Sequence, residues 1–352
     1  MPSSTRSAAR RSSAPRRRGP AKVDRETLDA LTVAVAEGER AVTVSIGRIE
    51  LALTNLQKPF FPKGGVGART KGDLLRYYLS VAPTMLPHLA ERPVVLTRYP
   101  NGAGTKGFYV QRAPEQRPPW VTTCLTSVKP PKEVEYLTID SAAMLLWVAN
   151  LGAIELHPWY SRCSATTQPD YLVIDLDPVQ GTSFDKVRTA ALHVKDALDA
   201  WGLPGVVKTS GATGLHLFVP IERGPTQQEV HDVARDLAGA IEWRHPTLFT
   251  TEYRIANRPR GRVLLDHNQN ALGHHLAGAY SVRPTPTGTV SMPLEWSELA
   301  DGAHPQDFTI ATVLARLVER KDPWSADTLT RARVDLPAWV RGMRTAPRRQ
   351  AS

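Results

Sequence analysis

Cysteine is almost absent from this chain of 352 residues, which contains only Cys124 and Cys163. These two are too few and too far apart to supply a zinc site of their own. We therefore expect both to be reduced, buried thiols, as is usual in cytosolic proteins. Long hydrophobic runs are also missing, since no stretch approaches the roughly 18 apolar residues that span a bilayer. The sequence predicts a cytoplasmic protein with no membrane partner.

Acidic residues are missing from both ends of the chain. Residues 1–22 carry a charge of +7 and residues 341–352 a charge of +4, out of a net charge of +10. Both segments are rich in Ser, Ala, Pro and Arg, so we expect them to be disordered tails. Basic arms of this kind raise affinity for nucleic acid through counterion release, without reading its sequence. Improved solubility is the alternative explanation.

Length and periodicity indicate an α+β fold. A chain of this length with 41% hydrophobic residues can form two packed subdomains. The alternating segments predict mostly antiparallel sheets flanked by helices. We expect a hairpin over 41–53, strands over 93–98 and 107–112, a surface loop over 113–123, and helices over 72–89, 141–151, 183–201, 227–241 and 310–320.

Two aspartates end an apolar run in the segment Tyr171-Leu-Val-Ile-Asp175-Leu-Asp177-Pro178. Side chains two residues apart in a strand point to the same face, so Asp175 and Asp177 are predicted to lie side by side. Two like charges that close raise each other's pKa, which suggests a bound divalent cation. Taken alone, the motif is also compatible with an ordinary strand that ends in an Asp-Pro turn.

A glycine-rich turn follows downstream. Residues 206–220 are predicted to form two strands joined by Ser210-Gly-Ala-Thr-Gly214. Glycines permit a tight turn whose backbone amides can hold phosphate oxygens, and Ser210 and His216 add a hydroxyl and an imidazole. By itself the segment is equally compatible with a plain hairpin. Placed after the aspartate pair, it predicts a metal and triphosphate site.

A third carboxylate ends another apolar strand, Arg262-Val-Leu-Leu-Asp266. Three carboxylates at adjacent strand ends can hold two divalent metals about 3.5–4 Å apart, the arrangement used in phosphoryl and nucleotidyl transfer. Oxygen ligands suit Mg²⁺ or Mn²⁺. Such catalysis depends on positioning and charge stabilisation, so it does not require a general base from the protein.

The order of these motifs resembles the archaeo-eukaryotic primase superfamily. More narrowly, it resembles the polymerase domain of bacterial ATP-dependent DNA ligase D and its stand-alone primase-polymerase relatives. The likeness extends to Leu53-Thr-Asn-Leu-Gln-Lys58, Arg98-Tyr-Pro-Asn-Gly102, Glu155-Leu-His157 and Ala279-Tyr-Ser-Val-Arg283. It covers residues 40–325 and implies a primase-like catalytic core, with subdomains at 40–160 and 161–300 and a closing helix at 301–325.

The resemblance implies a role for each matching residue. The catalytic, metal-binding carboxylates are Asp175, Asp177 and Asp266, and Asp266 is placed to activate the primer 3′-hydroxyl. Contacts with the incoming nucleotide are implied for Ser210, His216, Arg283, Phe108 and His157. Lys58 and Lys71 match two lysines that grip the DNA 5′-phosphate across a gap. Solvated surface amines are the alternative for both lysines.

The sequence departs from the family pattern just after the third carboxylate. The family usually has an aromatic residue where this chain has His267. Residues 271–279 lack the basic, proline-containing segment common at that place, which puts template or nucleotide contacts of this loop in doubt. Adjacent His274 and His275 have no Cys or carboxylate partner at zinc-ligand spacing, so we interpret them as loop residues.

Together these features predict a DNA-dependent nucleotidyltransferase, a DNA or RNA polymerase that can also prime, acting in gap filling or repair synthesis. The resemblance implies Mn²⁺ as the favoured metal, ribonucleotides over deoxyribonucleotides, and gapped or primed DNA in non-homologous end joining. The sequence has no Lys-x-Asp-Gly ligase motif, so we expect that the chain is not itself a ligase. A repair ligase and end-binding proteins are its expected partners. A two-metal nuclease or phosphoesterase and a non-catalytic DNA-end-binding module are the alternatives.

Overall fold

The computed structural model describes residues 25–62, 69–129 and 132–345. The predicted N-terminal tail, residues 1–22, lies outside these ranges, as do residues 346–352. Residues 341–345 were expected to belong to a disordered tail, yet they complete a C-terminal helix. That helix is strongly amphipathic, and the indole of its Trp339 donates a hydrogen bond to the carbonyl of Trp201 at 2.7 Å. Packing of its apolar side therefore overrides the tail-like composition.

The described chain contains nine α-helices and seventeen strands, with the strands concentrated before residue 295 and four helices in succession after it. The helices are α1 (Arg25–Ala36), α2 (Lys71–Leu89), α3 (Ala142–Asn150), α4 (Phe184–Ala200), α5 (Gln227–Arg244), α6 (Trp296–Ala300), α7 (Val313–Glu319), α8 (Ala326–Arg331) and α9 (Leu336–Thr345). The first strands are β1 (Ala41–Ile46), β2 (Ile49–Thr54), β3 (Pro59–Phe61), β4 (Arg69–Thr70), β5 (Val94–Arg98), β6 (Phe108–Val110), β7 (Thr123–Lys129), β8 (Lys132–Leu137) and β9 (Ala153–Pro158). The remaining strands are β10 (Ser161–Arg162), β11 (Ala165–Pro169), β12 (Tyr171–Pro178), β13 (Val206–Thr209), β14 (Leu215–Pro220), β15 (Phe249–Thr250), β16 (Val263–Asp266) and β17 (Pro293–Leu294).

Two sheets form the centre of the fold. One has six strands in the order β15-β16-β12-β14-β13-β17, and only its β15–β16 pair is parallel. The other has five strands, in which β5 pairs with β6, β8 and β9 and β8 pairs with β7, all antiparallel. One continuous cluster of buried side chains includes residues of both sheets. The predicted α+β class with mostly antiparallel sheets is confirmed.

Local sequence signals explain where the helices begin. Thr70 and Asp73 form a capping box at the start of α2, and the Ser141 hydroxyl accepts a hydrogen bond from the Met144 amide at the start of α3. Buried apolar residues then fix one side of α4 and α5 against the six-stranded sheet. In the part of the chain that the structure describes, no helix combines the length and apolarity that a bilayer span requires.

The two cysteines are joined in a disulfide, which corrects the expectation of reduced thiols. Cys124 on β7 pairs with Cys163 in the turn between β10 and β11, with 5.9 Å between their Cα atoms. The same two segments meet again where the Thr126 hydroxyl donates to the Thr166 hydroxyl at 2.9 Å. The expectation failed because a separation of 39 residues in sequence carries no information about distance in the fold.

Loss of this disulfide is expected to destabilise the chain. The bridge closes a loop of 39 residues, and loop-closure entropy of that size corresponds to about 2–4 kcal/mol. We expect the Cys124→Ser/Cys163→Ser double variant to unfold at correspondingly lower urea concentration than the oxidised wild type. Reductant should shift the wild type to the same midpoint and leave the double variant unchanged. Equal midpoints for oxidised and reduced wild type would contradict a stabilising bridge.

Candidate active site

A row of four ionisable side chains crosses the six-stranded sheet. Strand register pairs Lys208 of β13 with His216 of β14, His216 with Asp175 of β12, and Asp175 with Asp266 of β16. Directly paired residues of antiparallel strands share one face of the sheet. Asp177 lies two residues beyond Asp175 on that same face, as the spacing predicted. The sheet therefore brings Asp266, which is distant in sequence, beside the pair Asp175 and Asp177.

Burial and mutual repulsion disfavour the ionised form of Asp175 and Asp177 when no cation is bound. The pKa of Asp175 is raised well above its usual range by burial and by the charges of Asp177 and Asp266, with Lys208 and Arg283 acting in the opposite direction. Burial and Asp266 also raise the pKa of Asp177. Asp175 is only 3% exposed, and its Oδ1 has no hydrogen-bond partner among the described residues. A divalent cation would relieve these costs, and the oxygen donors fit one.

Asp266 is engaged elsewhere in this structure. Its Oδ1 accepts from the Asn268 amide at 2.9 Å and its Oδ2 accepts from the Gln269 side chain at 2.9 Å, which caps the 3₁₀ turn 267–270. The described residues contain no group of three His, Cys, Asp or Glu side chains already arranged to hold a metal ion. His267 begins this turn, and its ring lies 5.5 Å from the ring of His231 on α5.

The glycine-rich turn is organised by Ser210. Its hydroxyl oxygen accepts from the amides of Ala212 at 3.1 Å and Gly214 at 3.0 Å, so two of the amides expected to face a phosphate are already bonded. The hydroxyl hydrogen stays available to donate. Gly211 has φ +75°, and a Cβ there would lie 2.6 Å from the Arg283 side chain. Glycine at this position lets the Arg283 side chain cross the turn.

Glu155 of β9 connects Arg283 to a second group of polar residues. Its Oε1 lies 2.9 Å from Arg283 Nε, and its Oε2 accepts from the Tyr99 hydroxyl at 3.0 Å. Burial alone would raise the pKa of Glu155, but neighbouring His157 and Arg283 lower it. The carboxylate is therefore ionised, and it holds the guanidinium beside the glycine-rich turn.

His157 lies beside this ion pair. Residues 271–279, the divergent loop in which the sequence departs from the family pattern, pack against it. The His157 ring is 5.2 Å from the ring of His275, and burial lowers the pKa of His275 to about 3. The same loop accepts a hydrogen bond from Lys208 Nζ through the Ala277 carbonyl at 2.8 Å. The interpretation of His275 as a plain loop residue is therefore incomplete, because the loop forms one wall of the site.

Phe108 and Tyr109 point to opposite faces of β6. Phe108 is 46% exposed and has the Arg98 guanidinium 5.4 Å from its ring centre. Tyr109 is 68% exposed, and its ring lies 6.3 Å from the ring of His157. Contact with the polar residues of the site is thus made by Tyr109, while Phe108 packs with Arg98.

The two predicted phosphate-gripping lysines form hydrogen bonds with residues outside the row of aspartates. Lys58 Nζ donates to Asn101 Oδ1 at 2.8 Å, and Lys71 Nζ donates to the Thr54 carbonyl and Asn150 Oδ1, both at 2.7 Å. Burial, with a smaller contribution from Lys58, lowers the pKa of Lys71 to about 8. Lys71 is only 4% exposed, so Lys58 is the more accessible cation in this conformation.

Sequence reasoning missed several residues of this site, namely Lys208, Glu155, Tyr109 and His275. One signal was available for Lys208. It lies in an apolar strand two residues before Ser210, so the two side chains are expected on the same face. A similar signal existed for Glu155, which precedes His157 by two residues in another apolar strand. The two aromatic rings had no such signal, since only the packing of loops places them.

Comparison with known proteins gives this site a context. A family model described as "LigD, primase-polymerase domain" matches residues 70–324, which is most of the chain. The chain belongs to this family. The bifunctional non-homologous end joining protein LigD of Bacillus subtilis is 32% identical over 78% of this chain, and the multifunctional LigD of Mycobacterium tuberculosis is 33% identical over 80%. These matches cover 44% and 39% of the two relatives, so the chain spans about two fifths of their length.

A solved structure agrees with the sequence matches. The polymerase domain of Mycobacterium tuberculosis Ligase D, in complex with DNA, superposes with a TM-score of 0.72 at 29% sequence identity. The superposition covers 80% of this chain and 99% of that domain. The resemblance inferred from the motifs is confirmed, and so is the assignment as a primase-polymerase nucleotidyltransferase of a metal-dependent family.

Proposed function

We propose that this LigD-type primase-polymerase fills short gaps at DNA breaks during non-homologous end joining, using Mn²⁺ or Mg²⁺ and preferring ribonucleotides. The observation that carries the proposal is the row of Asp266, Asp175 and His216 across three neighbouring strands, with Asp177 on the same face. The relatives named for end joining and the related domain in complex with DNA support the same substrate and pathway.

Each site residue has a task that its chemistry suits. Asp175 and Asp177 would hold a divalent cation, joined by Asp266 once it leaves its hydrogen bonds with Asn268 and Gln269. The bound cation would lower the pKa of the primer 3′-hydroxyl and neutralise charge on the triphosphate.

Phosphate binding falls to the groups around the glycine-rich turn. Arg283 offers a planar guanidinium whose terminal nitrogens can pair with two phosphate oxygens, while Glu155 holds its Nε. Ser210 donates its hydroxyl hydrogen, since its oxygen already accepts two amides. Tyr109 presents an exposed ring beside His157, where a base can stack.

The deciding experiment compares substrates. The purified chain is given a gapped duplex, a recessed primer-template and an unprimed single strand, each with labelled NTPs or dNTPs and Mn²⁺ or Mg²⁺. We expect extension of the gapped duplex first, with NTPs incorporated more efficiently than dNTPs. Shortened DNA would favour a nuclease, and tight binding without turnover under either metal would favour a binding module. Products on the unprimed strand would add primase activity.

Gap recognition through the 5′-phosphate gives a further prediction. Lys58→Ala should weaken binding to a gap that carries a 5′-phosphate by about 10-fold at low salt, because a charge-assisted hydrogen bond contributes about 1.5–3 kcal/mol. Binding to the same gap without the phosphate should barely change, and fluorescence anisotropy measures both. Equal losses on the two DNAs would contradict a 5′-phosphate contact. Lys71→Met is a poorer test, since it also removes two buried hydrogen bonds.

A further inference from the structure

Lys208 is a buried cation with no counterpart among the residues to which the family resemblance assigns a role. It lies on β13 with 1% of its surface exposed. Lysine is almost never fully buried unless its ammonium group is paired, because desolvating the charge is costly. The core of the sheet has nevertheless kept a lysine directly beside His216. An apolar residue of the same length would fit this position at lower cost, which points to a functional reason.

The three hydrogen-bond partners of Lys208 account for all three ammonium hydrogens. Nζ lies 2.8 Å from the Ala277 carbonyl, 2.5 Å from Ser291 Oγ and 2.6 Å from His216 Nδ1. The carbonyl can only accept. Ser291 donates its own hydrogen to the Thr209 carbonyl at 2.9 Å, so its oxygen accepts from Lys208. The third ammonium hydrogen is thus directed to His216 Nδ1.

This arrangement fixes the proton on His216. A neutral imidazole carries one hydrogen, and an Nδ1 that accepts from Lys208 leaves it on Nε2. Nε2 lies 3.5 Å from Asp175 Oδ1, at the edge of the carboxylate cluster. In the opposite tautomer, Lys208 would have to accept from Nδ1, and the Nε2 lone pair would face the Asp175 carboxylate. Burial and the charge of Arg283 lower the pKa of Lys208, while the charge of Asp175 raises it. The position of Nε2 beside the Asp175 carboxylate is therefore what favours the first arrangement, because a hydrogen on Nε2 faces that oxygen and a lone pair would be repelled by it.

We infer that Lys208 is a positioning residue, which holds His216 in the Nε2–H tautomer so that this ring donates a hydrogen bond to the triphosphate of the incoming nucleotide. The inference rests on the proposed nucleotide-binding role of His216. It adds that the histidine acts as a donor only while Lys208 occupies its Nδ1. The divergent loop takes part as well, because its Ala277 carbonyl orients the ammonium group.

The kinetic test is a double-mutant cycle on the full chain. Lys208→Met, His216→Ala and the double variant are compared in single-nucleotide extension of a primed gap, with the nucleotide concentration varied. We expect Lys208→Met to raise the KM for the nucleotide by about 10- to 100-fold, the range found when groups that orient metal-binding histidines are removed, with a smaller change in kcat. The double variant should be no worse than His216→Ala alone, because the two residues act as a unit. Losses that multiply would overturn the inference.

Stability and a matched lysine serve as controls. Lys208→Met should lower the Tm only modestly, since removing a buried charge offsets part of the loss of three buried hydrogen bonds, and Lys195→Met on α4 should change neither KM nor kcat. A large fall in Tm together with an equal loss of kcat and unchanged KM would show a merely structural role and overturn the inference.

A spectroscopic measurement on the wild type does not depend on the activity of any variant. The ¹⁵N chemical shifts of the histidine rings in the wild-type chain, with His216 assigned from the signal lost in His216→Ala, should show a protonated Nε2 and an unprotonated Nδ1. The opposite pattern would overturn the inference even if the enzyme is active. A wild type that adds no nucleotide but shows the expected tautomer would instead reject the proposed function and leave the Lys208–His216 pairing in place.

Discussion

Nucleotide addition is expected to fall by at least about 10³-fold in the Asp175→Asn/Asp177→Asn variant, while its Tm rises in metal-free buffer. Both effects have one cause. The two carboxylates are buried side by side to hold a cation, and without one they repel each other and Asp266. Asparagine keeps the size of each side chain and removes the charge. A gain of about 1–2 kcal/mol corresponds to a rise in Tm of about 1–3 °C in a chain of this size.

The pH dependence of this gain has a definite sign. Because both folded-state pKa values are raised, the folded chain binds protons more tightly than the unfolded chain. Stability is therefore lost as the pH rises from the unfolded value near about 4 through the raised folded values. The stabilisation of the Asn variant should be present at neutral pH and vanish below about pH 4.

Metal binding supplies a readout besides activity. Thermal unfolding with and without MnCl₂ should show a higher Tm for the wild type in the presence of the metal and no shift for the Asn variant. Asp301→Asn, at an exposed position, is the matched control and should behave like the wild type. A double variant that unfolds at lower temperature at neutral pH, or that keeps the Mn²⁺-induced shift, would contradict this account of the pair.

Asp170→Ala is expected to cause the largest loss of stability, about 3–5 kcal/mol, which corresponds to roughly 4–7 °C in Tm. Asp170 precedes β12 and lies 2.8 Å from the guanidinium of Arg92, with Arg162 at 3.1 Å. Arg92 is 2% exposed and would be left as a buried charge without its carboxylate. The cluster connects the end of α2 to the strand that carries Asp175. Its loss should lower activity only through the folded fraction.

Measuring Tm at acidic pH tests the same cluster of Asp170, Arg92 and Arg162. Burial alone would raise the pKa of Asp170, but Arg92 and Arg162 outweigh it and lower the pKa. A lowered folded pKa means that the stabilisation is present above the unfolded value, near about 4, and is lost as the pH falls through the folded value. The wild type and Asp170→Ala should therefore converge in Tm under strongly acidic conditions.

Two controls bracket this result. Asp185→Ala removes an exposed ion pair with Arg188 and should cost less than about 1 kcal/mol. Arg92→Met/Asp170→Leu removes both buried charges, so it should be less destabilised than Asp170→Ala. Urea unfolding at neutral pH measures all three. If the free energy of unfolding of Asp170→Ala lies within about 1 kcal/mol of the wild-type value, the ion pair of Arg92 and Asp170 contributes little to the stability of the fold.

Much of the local structure was predictable from the chain. Helix α3 was expected over 141–151 and is observed as Ala142–Asn150, with Ser141 and Leu151 as its caps. Helix α4 was expected over 183–201 and is observed as Phe184–Ala200. Capping side chains and apolar periodicity act within a few residues, so they are visible in the sequence. The end of α5 was placed three residues too early, because helix C-termini carry weaker signals.

Long-range contacts were not predictable in the same way. The disulfide between Cys124 and Cys163 depends on two hairpins meeting, and the position of Tyr109 beside His157 depends on β6 pairing with β5. Neither follows from spacing along the chain. The ion pair between Glu155 and Arg283 joins residues more than a hundred positions apart. Such contacts are set by how the sheets pack.

The sequence by itself determined that Asp175 and Asp177 share one face of a strand, since side chains alternate with a period of two. It also determined the family, through motifs in a fixed order. Only the tertiary structure decided that Lys208, His216, Asp175 and Asp266 stand in one row, because strand order and register bring them together. The hydrogen bond between Lys208 and His216 forms only because the register of β13 and β14 places the two residues side by side. Electrostatic interactions depend on distance in space, and separation along the chain does not fix that distance.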